Sequence, residues 1–355
     1  NKPVNESRFK SEAQNIVDQI EKEIGWMYET RHGSGSVKGK INFTLWSDVF
    51  ICSECAGEVV FWEAAADKEK AKVSDDFSCP HCSASLKKRG LERAWTYVVD
   101  PATRNNIRQA KQVPVLINYS VGTKRFEKTP DDGDILTLSK ILETDIPEWY
   151  PSERMPDGGE TRRNDPIGVT NAHHFYTGRN IIALSKFRKA IFSNKDQRVS
   201  GALGLWFTSS HVWATRLNRL LASNYFKGGG GVIGQTLQGT LYISSLSVET
   251  NCIERFRLRI SSVPFTAGGG NALVSTGTAS RLSLPENSVD YIFIDPPFGA
   301  NIMYSELNSL WEAWLQVHTE NSTEAVESSA QKKTKDDYRR LMLEGFREAF
   351  RALKP

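Results

Sequence analysis

Val289 to Ile294 is a run of β-branched, aromatic and apolar residues, broken once by Asp290, that ends abruptly at Asp295-Pro296-Pro297-Phe298-Gly299. A run this short and this apolar predicts a buried strand of a parallel sheet. Neither proline can donate to a β-ladder, so the strand must stop there and the chain must turn outward. A carboxylate and an aromatic ring are thereby expected in a stiff loop at the carboxyl end of a strand, which is where ligands bind in open α/β sheets.

Methylation of the exocyclic amine of a nucleobase needs this pair of groups. The lone pair of such a nitrogen is delocalised into the ring, so the amine is a poor nucleophile. Two acceptors gripping its N–H bonds, the Asp295 carboxylate and the Pro296 carbonyl, would draw it toward tetrahedral geometry. Phe298 would stack on the extruded base, a contact worth roughly 1–3 kcal/mol. Asp295-Pro296-Pro297-Phe298 resembles the D-P-P-Y/F signature of the amino-methyltransferases that modify adenine N6 or cytosine N4 in DNA.

A second constraint lies upstream. Cys52-Ser-Glu-Cys55 and Cys79-Pro-His-Cys82 are both C-x-x-C, with 23 residues between them. Thiolates at that spacing can converge on one tetrahedral zinc, a pair from each of two turns. Gly57 to Trp62 reads as the hairpin strand of a zinc ribbon, and His81 as a surface-loop histidine. Four thiolates leave no open position for water, so the metal is expected to be structural and to fold a module too small to be stable alone. Four of the five cysteines are used this way, which fits a reducing, cytoplasmic setting; the fifth, Cys252, is expected in the core.

The rest of the 355 residues supports two or three soluble domains. A net charge of +3 excludes a global basic field, so nucleic acid must be met by local patches. No apolar run approaches a membrane span. Helical spacing of Phe9, Ala13, Ile16, Val17, Ile20 and Ile24 predicts an amphipathic helix over residues 6–24. Lys38 to Phe50 alternates like an edge of sheet, and Val113 to Tyr119 reads as a strand. Residues 130–170, with turns at Asp131-Asp-Gly133, Met155-Pro-Asp-Gly-Gly159 and Asn164-Asp-Pro166, predict a long irregular segment suited to target contacts, with Arg162 and Arg163 as its notable cations. His173-His174 is expected to be structural or substrate-contacting. Helices are expected around Ile181 to Ile191, from Leu203 to Leu221, after Tyr304, and from Tyr338 to Leu353. Arg255 to Ile260 alternates as an amphipathic strand with three arginines on one face. The clusters Phe226-Lys-Gly-Gly-Gly-Gly231 and Phe265-Thr-Ala-Gly-Gly-Gly270 lack the strand-before, helix-after context of a cofactor loop and are read as flexible loops.

The two knuckles, Arg162 to Ile167, His173 to Tyr176 and Asp295 to Leu307 together resemble zinc-ribbon-bearing bacterial DNA methyltransferases. That resemblance implies an α/β fold: an incomplete class I (Rossmann-like) methyltransferase core with an inserted zinc-ribbon module. It divides the chain into a helical lead-in over 1–38, a zinc-ribbon and target-recognition-like insert over 39–170, and the core with its Asp-Pro-Pro-Phe loop over 171–355. It implies S-adenosylmethionine and structural zinc as cofactors, and duplex DNA as substrate, with a restriction or defence protein as a further partner. Adenine N6 is favoured because the motif begins with Asp. Asp295, Pro296, Pro297 and Phe298 would be catalytic, Tyr304, Glu306, Arg162 and Arg163 would contact substrate, and Cys52, Cys55, Cys79 and Cys82 would hold zinc. The F-x-G-x-G cofactor loop would lie upstream of Asn1, as in a piece excised from a longer protein. Thr276 to Arg281, where the family often carries an acid near the cofactor's adenine, has none. The alternatives are a zinc-ribbon nucleic-acid-binding protein with a degenerate methyltransferase half, and an RNA base methyltransferase.

Overall fold

The computed structural model describes residues 4–33, 35–228, 230–265 and 273–355. They form a mixed α/β protein of two compact units. The first contains the described residues up to Glu153, with Asn164–Leu237 and Tyr242–Phe265; the second contains Arg154–Arg163, Gln238–Leu241 and the described residues beyond Phe265. No described helix is long and apolar enough to cross a membrane.

The first unit is built on the 14-residue strand Lys38–Ile51. It was expected at a sheet edge, but it is the central strand. One side pairs with Gln112–Val121 and the other with Leu246–Thr250, while Glu29–Arg31, Glu58–Val60 and Glu92–Arg93 pair at its two ends. All these pairings are antiparallel, and no parallel sheet of the class I kind is present among the described residues. The burial pattern explains the position: Phe43, Leu45, Val49 and Phe50 are buried, and so are the polar Thr44, Ser47 and Asp48, as in a strand covered on both faces.

Helix Glu6–Ile24 buries the six apolar residues that its spacing predicts. It packs with Gly178–Phe192, Gln197–His211 and Cys252–Arg259 around an aromatic centre. There Phe187 stacks on Phe256 at 3.9 Å, Trp206 meets Phe256 edge-on at 5.0 Å, and the Trp206 indole N–H donates to the Phe256 carbonyl at 3.0 Å.

Three expectations are corrected here. Cys252–Arg259 is a helix and not a strand, because the Asn251 side chain accepts from the Glu254 N–H and caps it. Its arginines face protein: Arg255 lies 4.3 Å over Trp213, and Arg257 pairs with Asp18, Glu21 and Glu254. The helix expected to reach Leu221 ends at His211, because Asn218 and Thr215 spend their side chains on the carbonyls of Val212, Trp213 and Thr215. Residues 130–170 include the helix Asp132–Glu143, opened by a reciprocal capping box between Asp131 and Asp134.

The second unit carries helices Tyr304–Leu315 and Lys335–Ala352. Val289–Ile294 does not form the expected strand. Val289 makes one parallel bridge, to Leu353, and Tyr291 and Phe293 are 75% and 80% exposed. A parallel strand is held by ladder partners, and beyond Val289 none is present among the described residues. Of the glycine clusters, Phe226 ends the short helix Ala222–Phe226 and no described helix follows directly, whereas residues 266–270 of the second cluster lie outside the described residues. Leu273 to Gly277 is irregular.

Truncating Phe256 to alanine should cost about 3–5 kcal/mol of unfolding free energy, whereas Phe350→Ala, at a ring 80% exposed, should cost well under 1 kcal/mol. Denaturant titration of both variants checks the contrast.

Candidate functional site: a cysteine knuckle pair, an exposed proline loop and a buried carboxylate–histidine cluster

The cysteine pairs sit on two turns of the same design. Cys52 receives the Ala56 N–H on its carbonyl and donates its own N–H to Gly57; Cys79 does the same with Ser83 and Ala84. Ala56 and Ser83, one residue after each second cysteine, share a left-handed φ of 56° and 60°. The turns place Cys52 Sγ 3.8 Å from Cys82 Sγ and Cys55 Sγ 3.8 Å from Cys79 Sγ, and all four sulfurs lie within 4.8 Å of one another. Ligands about 2.3 Å from a tetrahedral zinc are about 3.8 Å apart along each edge, so the cluster fits that metal. Burial opposes ionisation of Cys79, but the N–H groups of Cys82 and His81 outweigh it and bring the thiol down to about 7.

His81 is not a ligand. Its Nε2 lies 2.8 Å from the Glu58 carbonyl, which can only accept, and its ring covers Gly57 so closely that a Cβ there would fall 2.7 Å from His81 Cδ2. The protein should therefore carry one zinc per chain, with Gly57→Ala and Cys55→Ser weakening metal retention. Zinc release to a chromogenic chelator, timed for each variant, checks this.

Asp295, Pro296, Pro297 and Phe298 form an exposed loop, with Phe298 68% exposed. Three hydrogen bonds hold its backbone: the Tyr338 hydroxyl donates to the Pro297 carbonyl at 2.9 Å, the Asn301 N–H to the Phe298 carbonyl at 3.0 Å and the Glu327 N–H to the Gly299 carbonyl at 3.2 Å. Tyr304, half-exposed, begins the following helix. Glu306, two residues on, is only 3% exposed. Its Oε2 accepts the backbone N–H groups of Glu160 at 2.6 Å and Thr161 at 3.2 Å, and a Cβ on Gly158 would fall 2.3 Å from its carboxylate. Glu306 thus holds the Gly158–Thr161 turn. Its other oxygen, Oε1, is buried and makes no hydrogen bond.

Arg162 and Arg163 lie in the same unit, on the segment that Glu306 anchors. Both are engaged by acids of that segment, Arg162 with Asp157 at 2.5 Å and Arg163 with the two oxygens of Glu160. The structure therefore brings Asp295–Phe298, Tyr304, Glu306, Arg162 and Arg163 into one unit, and the four cysteines into the other.

Asp100 had no sequence signal as a site residue, because the two histidines it meets are more than 70 residues away. Its Oδ1 accepts the N–H groups of Ala102 and Thr103, and its Oδ2 lies 3.0 Å from His173 Nε2 and 2.8 Å from His174 Nε2. The neighbouring histidines, expected to be structural or substrate-contacting, converge on one buried carboxylate. Burial opposes its ionisation, but the bonds from His174, the Thr103 N–H and His173 prevail and hold the carboxyl far below the usual range. Burial pushes His174 down to about 4, with His173 adding to the effect and Asp100 opposing it. Burial also takes His211 to about 4 and lowers His173.

For a histidine depressed in the fold, the unfolded chain takes up the proton first. Stability is therefore fully present above the ordinary value of 6.5 and is lost as pH falls toward about 4. Urea unfolding free energies should drop between pH 7 and pH 5, and His174→Gln should reduce the slope near pH 5 by about one proton.

No protein-family model matches this chain, and neither a curated protein nor a solved structure is similar to it.

Proposed function

We propose that the protein takes part in S-adenosylmethionine-dependent methylation of an exocyclic base amine in duplex DNA, with adenine N6 favoured over cytosine N4. The observation that carries this reading is the exposed Asp295-Pro296-Pro297-Phe298 loop, in which a carboxylate, a prolyl carbonyl and a 68% exposed ring stand together on a backbone tied down through Pro297 and Gly299. On a flipped base, the Asp295 carboxylate and the Pro296 carbonyl accept the two amine N–H bonds, and Phe298 stacks on the ring. Tyr304 lies on the adjoining helix, within reach of the same base. Arg162 and Arg163 would contact DNA only by exchanging their present acids for phosphates.

The methyl donor fits less well. Among the described residues no glycine loop stands between a strand and a helix, and Thr276–Arg281 offers no acid to a ribose or an adenine. The part assigned to this chain is therefore the grip on the target base. The finer fold reading, an incomplete class I core with an inserted zinc ribbon, belongs to this proposal. So do a restriction or defence partner and a cytoplasmic setting. The zinc cluster, closed by four thiolates, takes no part in the reaction.

Transfer of labelled methyl from S-adenosylmethionine to duplex DNA should be abolished by Asp295→Ala. Phe298→Ala should lower it roughly 5- to 150-fold, the equivalent of losing one stacking contact. Undiminished transfer by Asp295→Ala overturns the reading, and transfer to structured RNA in preference to duplex DNA would move it to an RNA base amine.

A further inference from the structure

Phe50 and Phe61 meet edge to face at 5.8 Å in the core of the first unit, and a cation lies over each ring. Lys88 Nζ is 4.6 Å from the centre of Phe61, and the Arg93 guanidinium carbon is 5.7 Å from that of Phe50. Both rings are buried, so they fix the two cations as neighbours. Arg89 lies between them in the chain, on a turn that Gly90 completes with a φ of 133°. With Asp75 and Leu91, these residues line an open concavity of about 380 Å³.

The cations hold more donors than partners. Arg93 spends Nε on Asp48 at 3.2 Å, but its two Nη groups make no hydrogen bond among the described residues. Lys88 Nζ and the Arg89 guanidinium have neither an ion-pair nor a hydrogen-bond partner there. Asp48 is buried and shared with the Gln112 amide. Asp75 is the single acid on the wall; it is exposed and forms no ion pair with any of the three cations. Burial pushes Lys88 below the usual lysine value against the pull of Asp75 and Asp48, and Arg93 adds to the push. Like charges gathered at a half-buried place are unfavourable until an anion offsets them.

The donor set selects among anions. A guanidinium held by its Nε presents its two Nη groups as a fork that matches two oxygens of a carboxylate or a phosphate. A carboxylate brings one charge, and the fork occupies both its oxygens. A phosphate brings a further oxygen and up to two charges, so it can meet Lys88 and Arg89 as well. Three cations around one concavity therefore favour phosphate.

We propose that this concavity binds a phosphate group, with Arg93 as the fork and Lys88 and Arg89 neutralising the remaining charge. A nucleotide and a nucleic-acid backbone offer that same chemistry. The proposal stands apart from the methylation reading, since no residue is shared.

Inorganic phosphate is the first probe, titrated calorimetrically into the whole chain supplied with zinc. It should bind saturably, and acetate about tenfold more weakly. Lys88→Met, which keeps an unbranched stem beside Phe61, and Arg89→Gln, at an exposed position, should each weaken phosphate about tenfold. Lys87→Gln, at the exposed neighbour whose ammonium pairs with Asp76, should leave it unchanged. On the unaltered protein, phosphate should shield Lys88 from acylation by a succinimidyl ester while Lys87 stays reactive, as read by peptide mass spectrometry. That measurement decides the matter if a variant does not fold. Oligothymidine with and without a terminal phosphate separates the sources, and either result upholds the site: tighter binding of the phosphorylated form assigns it a terminal phosphate, and equal binding a backbone phosphate. Absence of saturable phosphate binding, acetate binding as tightly, or full affinity in both Lys88→Met and Arg89→Gln overturns the proposal.

Discussion

The strand Lys38–Ile51 is the constraint on which the first unit depends. Fourteen consecutive residues are held extended by ladders on both sides, and five other strands pair with them. Each end then has a fixed task. At Ile51 the chain runs directly into Cys52, so the first knuckle inherits its position from the sheet. In the middle, Asp48 is buried, and the half-buried Trp46 donates its indole N–H to Glu249 at 3.1 Å. A ladder this long, buried on both faces, cannot slip by one residue without exchanging the two covered faces, Phe43 and Leu45 on one and Trp46 and Asp48 on the other.

From that strand a chain of partly buried polar contacts leads to the buried histidine pair. Asp48 Oδ1 accepts from the Gln112 amide at 2.7 Å, Gln112 accepts from Arg216, and Arg216 donates to the His174 carbonyl. His174 and His173 then share Asp100. Each member satisfies the next, which is the condition under which a buried polar network specifies one arrangement and does not destabilise the fold. His173 Nδ1 and Glu306 Oε1, in the other unit, stand out because they end otherwise satisfied networks with an open acceptor. Glu306 spends its other oxygen on a turn of its own unit, and His173 spends its Nε2 on Asp100.

What could be read from the sequence follows from the range of each interaction. The helix at Glu6–Ile24 and the knuckles rest on periodicity and on C-x-x-C spacing, both local, and they appear as expected. The helices at Asp132 and Cys252 were also signalled locally, by Asp131-x-x-Asp134 and Asn251-x-x-Glu254, but turn composition and alternating arginines masked those caps. Alternation at Lys38–Phe50 correctly marks a strand and says nothing of its neighbours, so edge and centre could not be told apart. Val289–Ile294 has the composition of a buried strand, yet composition supplies no ladder partner, and its rings stay exposed. Asp100 shows the limit most clearly: an aspartate before a proline reads as a turn, and only the fold brings it to His173 and His174.

The zinc knuckles were expected to fold an inserted module too small to be stable alone, and their packing ties them to the central sheet. Cys52 and Cys79 are buried in one apolar cluster with Phe50, Phe61, Trp62, Phe77 and Leu86, and that cluster continues through Leu45, Val115, Leu116 and Val248 into the central sheet. Trp62 stacks on Phe226 at 5.9 Å, and its backbone N–H donates to Ser47 on the central strand at 2.9 Å. Free energy released when four thiolates close on a metal is folding free energy for whatever is packed on them. Here that would include the end of the strand on which the unit is assembled, so a metal held by the four thiolates would stabilise the sheet together with the knuckles.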